Sequence, residues 1–336
     1  MANRADRLGK AQRLARELCD DDFLTAINAF LRTKWQKANF GLPNNDPILW
    51  IKFANKRGFE RIEMEARNQQ YIFNAVEKFN QKDNREQLEL LATAGIFKDE
   101  QARPPRVQIP RLFRVVRTAE FKALVMEFVP GQTLDSLMRQ KYNADKESFC
   151  WYPAPNFCER GYLRGYDLSL FERHLHDYAN AIGLLLSLPV PDDATPGPVG
   201  GGYSNHPIFE NWRTEENRAP VMYASVEELT KHINKLVHSR LPPKAKLADF
   251  SNEPLCYILS DLNNGNVIFH DEETYLIDHL DAGFMPLSFM TIVADLGRNV
   301  ATHLIKHLKL PRDNHIVLTN VQGAFWPSPD DDEDDE

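Results

Sequence analysis

The sequence predicts an α+β chain in two lobes, a small antiparallel sheet with flanking helices followed by a mainly helical second half. Three observations carry this. Apolar residues alternate between helical and strand spacing over the first 130 residues, a Pro130-Gly131 break is followed at once by a helix start, and long helical stretches beyond it enclose three short apolar runs near residue 260.

Residues 4 to 33 read as two short helices, with Leu8, Leu14 and Leu18 in the first and Phe23, Ile27, Phe30 and Leu31 in the second. Ile48 to Phe53 is a short apolar run with one lysine in it, a strand, and Arg61 to Phe79 returns to helical spacing through Ile62, Ala66, Ile72, Phe73 and Val76. Arg111 to Val116 and Ala123 to Val129, with Arg117-Thr118-Ala119-Glu120 between them, predict an antiparallel hairpin. Thr133 caps a helix carrying Leu134, Leu137 and Met138. Residues 142 to 166 read as an ordered insertion, Leu168 to Leu188 as an amphipathic helix, and Pro189 to Pro220 as a long loop containing Gly200-Gly201-Gly202. Ser225-Val226-Glu227-Glu228 is a capping box opening a helix to Arg240. Cys256 to Leu259, Val267 to Phe269 and Tyr275 to Ile277 are short apolar runs, and a helix is expected from about Phe289 to Leu308. The expected division is 1–128, an N-lobe with N-terminal helices; 129–326, a C-lobe with hinge, inserts and catalytic loops; and 327–336, a disordered acidic tail.

Composition narrows the function. The chain of 336 residues carries a formal charge of −8, but Asp330 to Glu336 are all acidic, and without those seven the balance is 41 acidic against 40 basic. A nearly neutral body with no basic block argues against nucleic acid as a partner, because phosphate contacts need clustered Lys and Arg. Four cysteines without CxxC spacing predict neither a disulfide framework nor a zinc ribbon, so Cys150 and Cys158 read as buried thiols. Met1 to Lys10 lacks the apolar stretch of a signal peptide, and the longest apolar run, Ala181 to Leu188, is too short for a bilayer. The expectation is a cytoplasmic protein without a membrane partner.

The chemistry is concentrated in Leu259-Ser260-Asp261-Leu262-Asn263-Asn264-Gly265-Asn266 and, twelve residues after Asn266, Asp278-His279-Leu280-Asp281-Ala282-Gly283-Phe284. A polar loop holding Asp261 and Asn266, joined by a hairpin to Asp278, brings one base and two oxygen ligands to one end of that hairpin. Mg2+ takes such ligands while keeping waters and phosphate oxygens. Taken alone, the first segment also reads as a pair of ordinary Asx-rich turns.

These segments resemble the catalytic and metal-binding loops of the aminoglycoside phosphotransferase and choline kinase group of protein-kinase-like enzymes. In that resemblance Asp261 matches the catalytic aspartate, Asn266 the metal-binding asparagine and Asp278 the metal-binding aspartate, and Ala294-Asp295-Leu296 continues the match. Lys52 stands where the family places its phosphate-gripping lysine, and Glu65 where a helix glutamate fixes it. Met126 to Leu134 resembles the hinge, with backbone groups of Glu127 and Val129 toward adenine. The likeness spans Asp46 to Leu308, and Gly200 to Gly202, Pro207-Ile208-Phe209 and the capping box are similar to the fungal-type branch. Two positions depart from the pattern: Leu259 replaces the loop histidine and His279 the hairpin tryptophan. Asn39-Phe40-Gly41-Leu42 offers one glycine where a nucleotide-covering loop shows three.

The resemblance implies a bilobal protein-kinase-like fold and ATP- and Mg2+-dependent phosphoryl transfer to a hydroxyl of a small-molecule acceptor. A nucleotide-binding pseudokinase or scaffold is the alternative, and a protein kinase is disfavoured because no Asp-Phe-Gly and Ala-Pro-Glu pair brackets an activation loop. Acceptor contacts are expected from the inserts 142–166 and 189–222, through Phe149, Trp151, Tyr152, Tyr203, Phe209 and Trp212, which could equally pack the inserts onto the body. His303 and His307 lack the glutamate of an HExxH site, and His174 and His176 point to different sides of their helix, so neither pair is read as a metal site.

Overall fold

The computed structural model describes residues 4–34, 39–99, 101, 103–142, 168–210, 217–295 and 304–322. In chain order the elements are α1 (Arg4–Glu17), α2 (Asp20–Lys34), β1 (Asn39–Leu42), β2 (Leu49–Asn55), α3 (Phe59–Asn80), α4 (Asn84–Ala94), β3 (Val107–Gln108), β4 (Leu112–Arg117), β5 (Phe121–Glu127), β6 (Gln132–Thr133), α5 (Leu134–Tyr142), α6 (Glu172–Ser187), α7 (Val226–Arg240), β7 (Leu255–Leu259), β8 (Val267–His270), β9 (Glu273–Leu276), β10 (Ala282–Pro286), α8 (Ser288–Asp295) and α9 (His315–Val321).

The first sheet is antiparallel in the order β1-β2-β5-β4 and is covered on both faces. Strand alternation sorts its side chains. Leu49, Ile51 and Phe53 of β2 and Ala123 and Val125 of β5 meet Ala11, Ala15, Phe23 and Ile27 of α1 and α2, whereas Leu124 and Met126 meet Ile62 and Ala66 of α3. Lys52, between Ile51 and Phe53, therefore faces α3.

The second body is larger and mainly helical. The last two turns of α6, from Ala181 on, are buried, and they pack with β7, β10, α8 and α9 in one cluster. Two small sheets sit here: β10-β7, and β3-β9-β8-β6, in which β8 and β9 form a hairpin. Short β6 pairs with β8, so the chain leaving β5 is tied to that hairpin immediately after Gly131, whose φ of 136° only glycine adopts readily. This is the bilobal, kinase-like α+β arrangement expected.

Helix caps follow the sequence signals. Ser136 N–H donates to Thr133 Oγ1 at 3.0 Å, and in the capping box Glu228 N–H donates to Ser225 Oγ at 3.2 Å while Ala224 N–H donates to Glu228 Oε2 at 2.8 Å. Of the helix expected from about Phe289 to Leu308, Ser288–Asp295 is helical and residues 296–303 lie outside the described residues. Asp295 is held by Arg312 at 2.9 Å and by His315. Leu304 is helical, whereas Leu308 forms a β-bridge with Phe97, with Lys98 N–H on the His307 carbonyl and Lys309 N–H on that of Ile96. Asn39–Leu42 is an edge strand, with Phe40 buried and its ring stacked 4.7 Å from Phe30. The insertion at 142–166 with Cys150 and Cys158, Trp212, His303 and the acidic tail lie outside the described residues, except Tyr142 at the end of α5.

His206 is fully buried in the second body. Its Nδ1 accepts from Ile208 N–H at 3.1 Å, which leaves Nε2 to donate to the Phe289 carbonyl at 3.1 Å, a neutral tautomer. Burial pushes its pKa down to about 3. Between pH 6.5 and 3 the unfolded chain takes up a proton that the folded chain refuses, so the stability contribution is full above 6.5 and is lost as pH falls. The urea midpoint should drop from pH 7 to pH 5, and His206→Gln should be less stable at pH 7 but show a flatter dependence over that interval.

Candidate active site

Strand alternation places Lys52 on the α3 face, and α3 presents a buried polar stripe there at helical spacing: Glu65, Asn68 and Gln69. Lys52 Nζ is 2.8 Å from Glu65 Oε1 and 2.8 Å from Asp278 Oδ1. The three side chains are 17%, 2% and 40% exposed, so the cation and the glutamate are withdrawn from water while Asp278 still fronts the cleft. Burial pulls the ammonium pKa down, but the two carboxylates outweigh it and hold the proton tightly. Burial raises Glu65 to about 7, more than Lys52 can lower it. It also raises Asp278, but there the charge and hydrogen bond of Lys52 prevail and keep the carboxyl below its ordinary range.

Asp278 leaves β9 with φ at 62°, a left-handed conformation sparsely populated by non-glycine residues and recurrent at functional turns. Asn68 holds that turn open. Its Nδ2 donates to the carbonyls of His279 at 2.9 Å and Ala282 at 2.8 Å, and its Oδ1 accepts from Val199 N–H at 2.9 Å. Gln69 donates to the Pro110 carbonyl, bringing β4 to the same helix. His279 is buried with Nδ1 facing Tyr257 OH at 3.4 Å and Nε2 facing the Leu276 carbonyl at 3.3 Å; burial lowers its pKa to about 4, so it is neutral.

The loop of residues 260–266 is closed on itself. Asn266 Nδ2 donates to Asp261 O at 3.0 Å and Asp261 Oδ2 at 3.1 Å, Asn263 Nδ2 donates to the same Oδ2 at 2.9 Å, and Gly265 N–H donates to Asn263 Oδ1 at 2.7 Å. Two main-chain bonds join it to the hairpin: Ile277 N–H to Asn266 O at 3.0 Å, and Ser260 N–H to Asp281 O at 2.7 Å. Asp261 and Asn266 are thus hydrogen bonded to each other, and Asp278 follows the residue whose N–H ties the hairpin to Asn266. Leu259 is buried in β7 opposite Ala282.

The hinge positions lie where β5 ends. Glu127 N–H is taken by Arg111 O at 2.8 Å, and its buried carboxylate accepts Arg4 Nε and Nη2, each at 3.2 Å, so neither faces a ligand. What remains there is the Glu127 carbonyl and the Val129 N–H, which meets no acceptor among the described residues. Arg4 also donates to Gln108 and to the Ile109 carbonyl, staple-like between α1 and the hinge. Sequence reasoning missed Asn68 and Arg4. Asn68 lies three residues after Glu65, on the same helix face, and that spacing was the available signal.

No family model matches the chain, and no curated protein matches it. Among solved structures it is similar to a protein assigned as a fructosamine-3-kinase from Haemophilus somnus, at 11% identity over 86% of this chain and 78% of that one, with a TM-score of 0.36. It is also similar to an aminoglycoside phosphotransferase from Streptomyces rimosus, at 14% identity over 90% of this chain and 99% of that one, with a TM-score of 0.35, and to the same enzyme in complex with ADP and streptomycin, at 14% identity over 92% and 100%, with a TM-score of 0.32. Likeness at this level says nothing of what this chain does.

Lys52→Met leaves Glu65 and Asp278 facing each other without a cation, and should cost about 3 kcal/mol of unfolding free energy, as breaking buried pairs does. The loss should be larger at pH 8 than at pH 6, because Glu65 relieves the repulsion by protonating. Adding Glu65→Gln should recover part of it; chemical denaturation of the two variants measures both effects.

Proposed function

We propose that this chain transfers the terminal phosphoryl group of ATP to a hydroxyl of a small molecule with the help of Mg2+. The observation that carries the reading is Lys52 held between Glu65 and Asp278 across the cleft from a loop in which Asn266 braces Asp261. A buried cation fixed by a helix carboxylate grips nucleotide phosphates, and a hairpin carboxylate beside it takes the metal.

The donor set fits a hard divalent ion. The Asn266 amide nitrogen is spent on Asp261, which turns its Oδ1 the other way, and Asp278 offers a partly exposed carboxylate held in its charged form. When bound, Mg2+ supplies charge neutralisation across the phosphate oxygens. Lys52 keeps its bond to Glu65 and donates to the phosphates in place of Asp278. The Glu127 carbonyl and Val129 N–H receive the adenine edge. Asp261 Oδ accepts the proton of the acceptor hydroxyl as its oxygen attacks the terminal phosphorus and the bond to the leaving oxygen of ADP breaks. Asn263 and Asn266 hold that carboxylate by two amide donors, which fixes its aim.

The reading includes an N-lobe of residues 1–128, a hinge and C-lobe of 129–326 and a tail of 327–336, in a protein of the fungal-type branch of the aminoglycoside phosphotransferase and choline kinase group. Free thiols at Cys19 and Cys256 support a cytoplasmic location, and among the described residues no helix is long and apolar enough to cross a membrane. Leu259 favours a second reading, a nucleotide-binding protein without turnover, because it cannot hydrogen bond as the family's histidine does.

Asp261→Asn should lower turnover by about 10²- to 10⁴-fold, as removal of a general base does, with Mg-ATP affinity unchanged. Asp278→Asn should weaken Mg-ATP binding together with turnover. ADP release across a library of alcohols, with calorimetry of Mg-ATP, reads both; tight Mg-ATP binding by Asp278→Asn with loss of binding by Asp261→Asn would reverse the roles.

A further inference from the structure

Beside the phosphoryl-transfer residues lies a small cavity of about 100 Å³ between the start of α3 and Tyr203, Asn205, Asn217 and Arg218, with Arg61 and Asp281 also among its lining residues. Its place is set by the chain. Arg61 stands one helical turn before Glu65, and the Asp281 carbonyl takes the Ser260 N–H at 2.7 Å, one residue from Asp261. A ligand seated here lies next to the proposed base, on the side away from the hinge.

Among the described residues four charges line the cavity, and two of them satisfy each other. Arg218 Nη2 meets both oxygens of Glu60, at 3.1 and 3.3 Å, and its guanidinium stacks 4.0 Å above the Tyr203 ring. That ring is therefore occupied by the protein's own cation. Arg61 and Asp281 remain. They attract each other, yet among the described residues no ion pair within 4.0 Å joins them, Arg61 makes no hydrogen bond, and the Asp281 carboxylate accepts only the Asn205 amide, at 3.1 Å. Burial raises its carboxyl above the ordinary value, so a donated proton or ammonium is what it lacks.

The described wall residues are held by main-chain pairing: Asn205 forms a β-bridge with Arg218, His206 N–H donates to the Asn217 carbonyl at 2.7 Å, and Ala219 N–H donates to that of Ser204 at 2.7 Å. Preorganised groups lose little on binding.

We propose that this cavity recognises the acceptor and takes a compact zwitterionic alcohol, its ammonium on Asp281 and its acid group on Arg61. The proposal rests on the phosphotransferase reading. A pure cation leaves Arg61 unanswered and repelled, a pure anion does the same to Asp281, and a neutral polyol answers neither; leaving a charge unpaired in a confined site is the stronger term in selectivity. The volume sets the size. A cavity of about 150 Å³ holds benzene with its six non-hydrogen atoms, so about 100 Å³ encloses roughly four, and only the smallest zwitterionic alcohols, with their remaining atoms outside it, can seat their charged groups here.

The test uses L-serine and three analogues that each lack part of its charge: ethanolamine, 3-hydroxypropanoate and ethylene glycol. Calorimetry on the full chain, with and without Mg-ADP, compares the parent with Asp281→Asn and Arg61→Gln. L-serine should bind at least tenfold more tightly than the others. Asp281→Asn should abolish its advantage over 3-hydroxypropanoate, and Arg61→Gln its advantage over ethanolamine, with Mg-ADP affinity within twofold of the parent in both. Equal binding of the four probes, no binding of any, or a preference surviving in both variants overturns the proposal. Failure of Mg-ADP to bind the parent overturns the phosphotransferase reading instead, and the serine preference is then still read without nucleotide.

Discussion

A buried lysine with two carboxylates is the constraint around which the rest is arranged. Lys52 comes from a strand, Glu65 from a helix and Asp278 from a hairpin 226 residues away from the lysine, and all three elements must be in register for both 2.8 Å contacts to exist. Withdrawing a charge from water is costly unless it is paired and hydrogen bonded. The ammonium is therefore a condition on the fold as much as a member of the site: any slip of β2 by one residue would turn Lys52 into the apolar cluster beneath α1 and α2 and expose Ile51 to Glu65.

The hairpin end needs its own support, because Asp278 sits in a conformation that a free chain avoids. That support comes from the same helix. Glu65 and Asn68 stand three residues apart on α3, one holding the cation that faces Asp278 and the other the carbonyls of the turn that follows it. Movement of α3 would thus disturb the lysine, the turn and the glycine-rich loop together, since Asn68 also takes the Val199 N–H and Arg67 the carbonyls beyond it.

How much of this was legible follows from the kind of partner each residue has. Lys52 and Glu65 are found through the family resemblance, which keys on residue type at a given place, and their partners are side chains of opposite sign. Asn68 is not, since its partners are main-chain carbonyls 211 and 214 residues away and a carbonyl has no residue type. Strand β10 was hidden for a related reason: Ala-Gly-Phe-Met-Pro reads as a breaker-rich turn, yet it is buried along its whole length, and its glycine is required by the approach of another backbone. Leu308 shows the converse: its periodic spacing marks burial, and burial alone does not choose between helix and bridge.

The departure at Leu259 is best understood from what holds the loop in its absence. A histidine two residues before the aspartate can brace the main chain by hydrogen bonding; leucine can only pack, and here it does so against the β7–β10 ladder. The bracing falls to other groups. Asp135 N–H of α5 donates to the Asn264 carbonyl at 3.0 Å, Tyr178 OH of α6 to the Asn263 carbonyl at 3.4 Å, and Asn263 and Asn266 close the loop onto Asp261 from within. Tyr178 is fully buried and Asn264 nearly so, which makes these bonds expensive to break, since a buried donor left without its acceptor loses its solvation as well. The loop is thus suspended from two helices and its own amides, while the side chain at position 259 packs in the core.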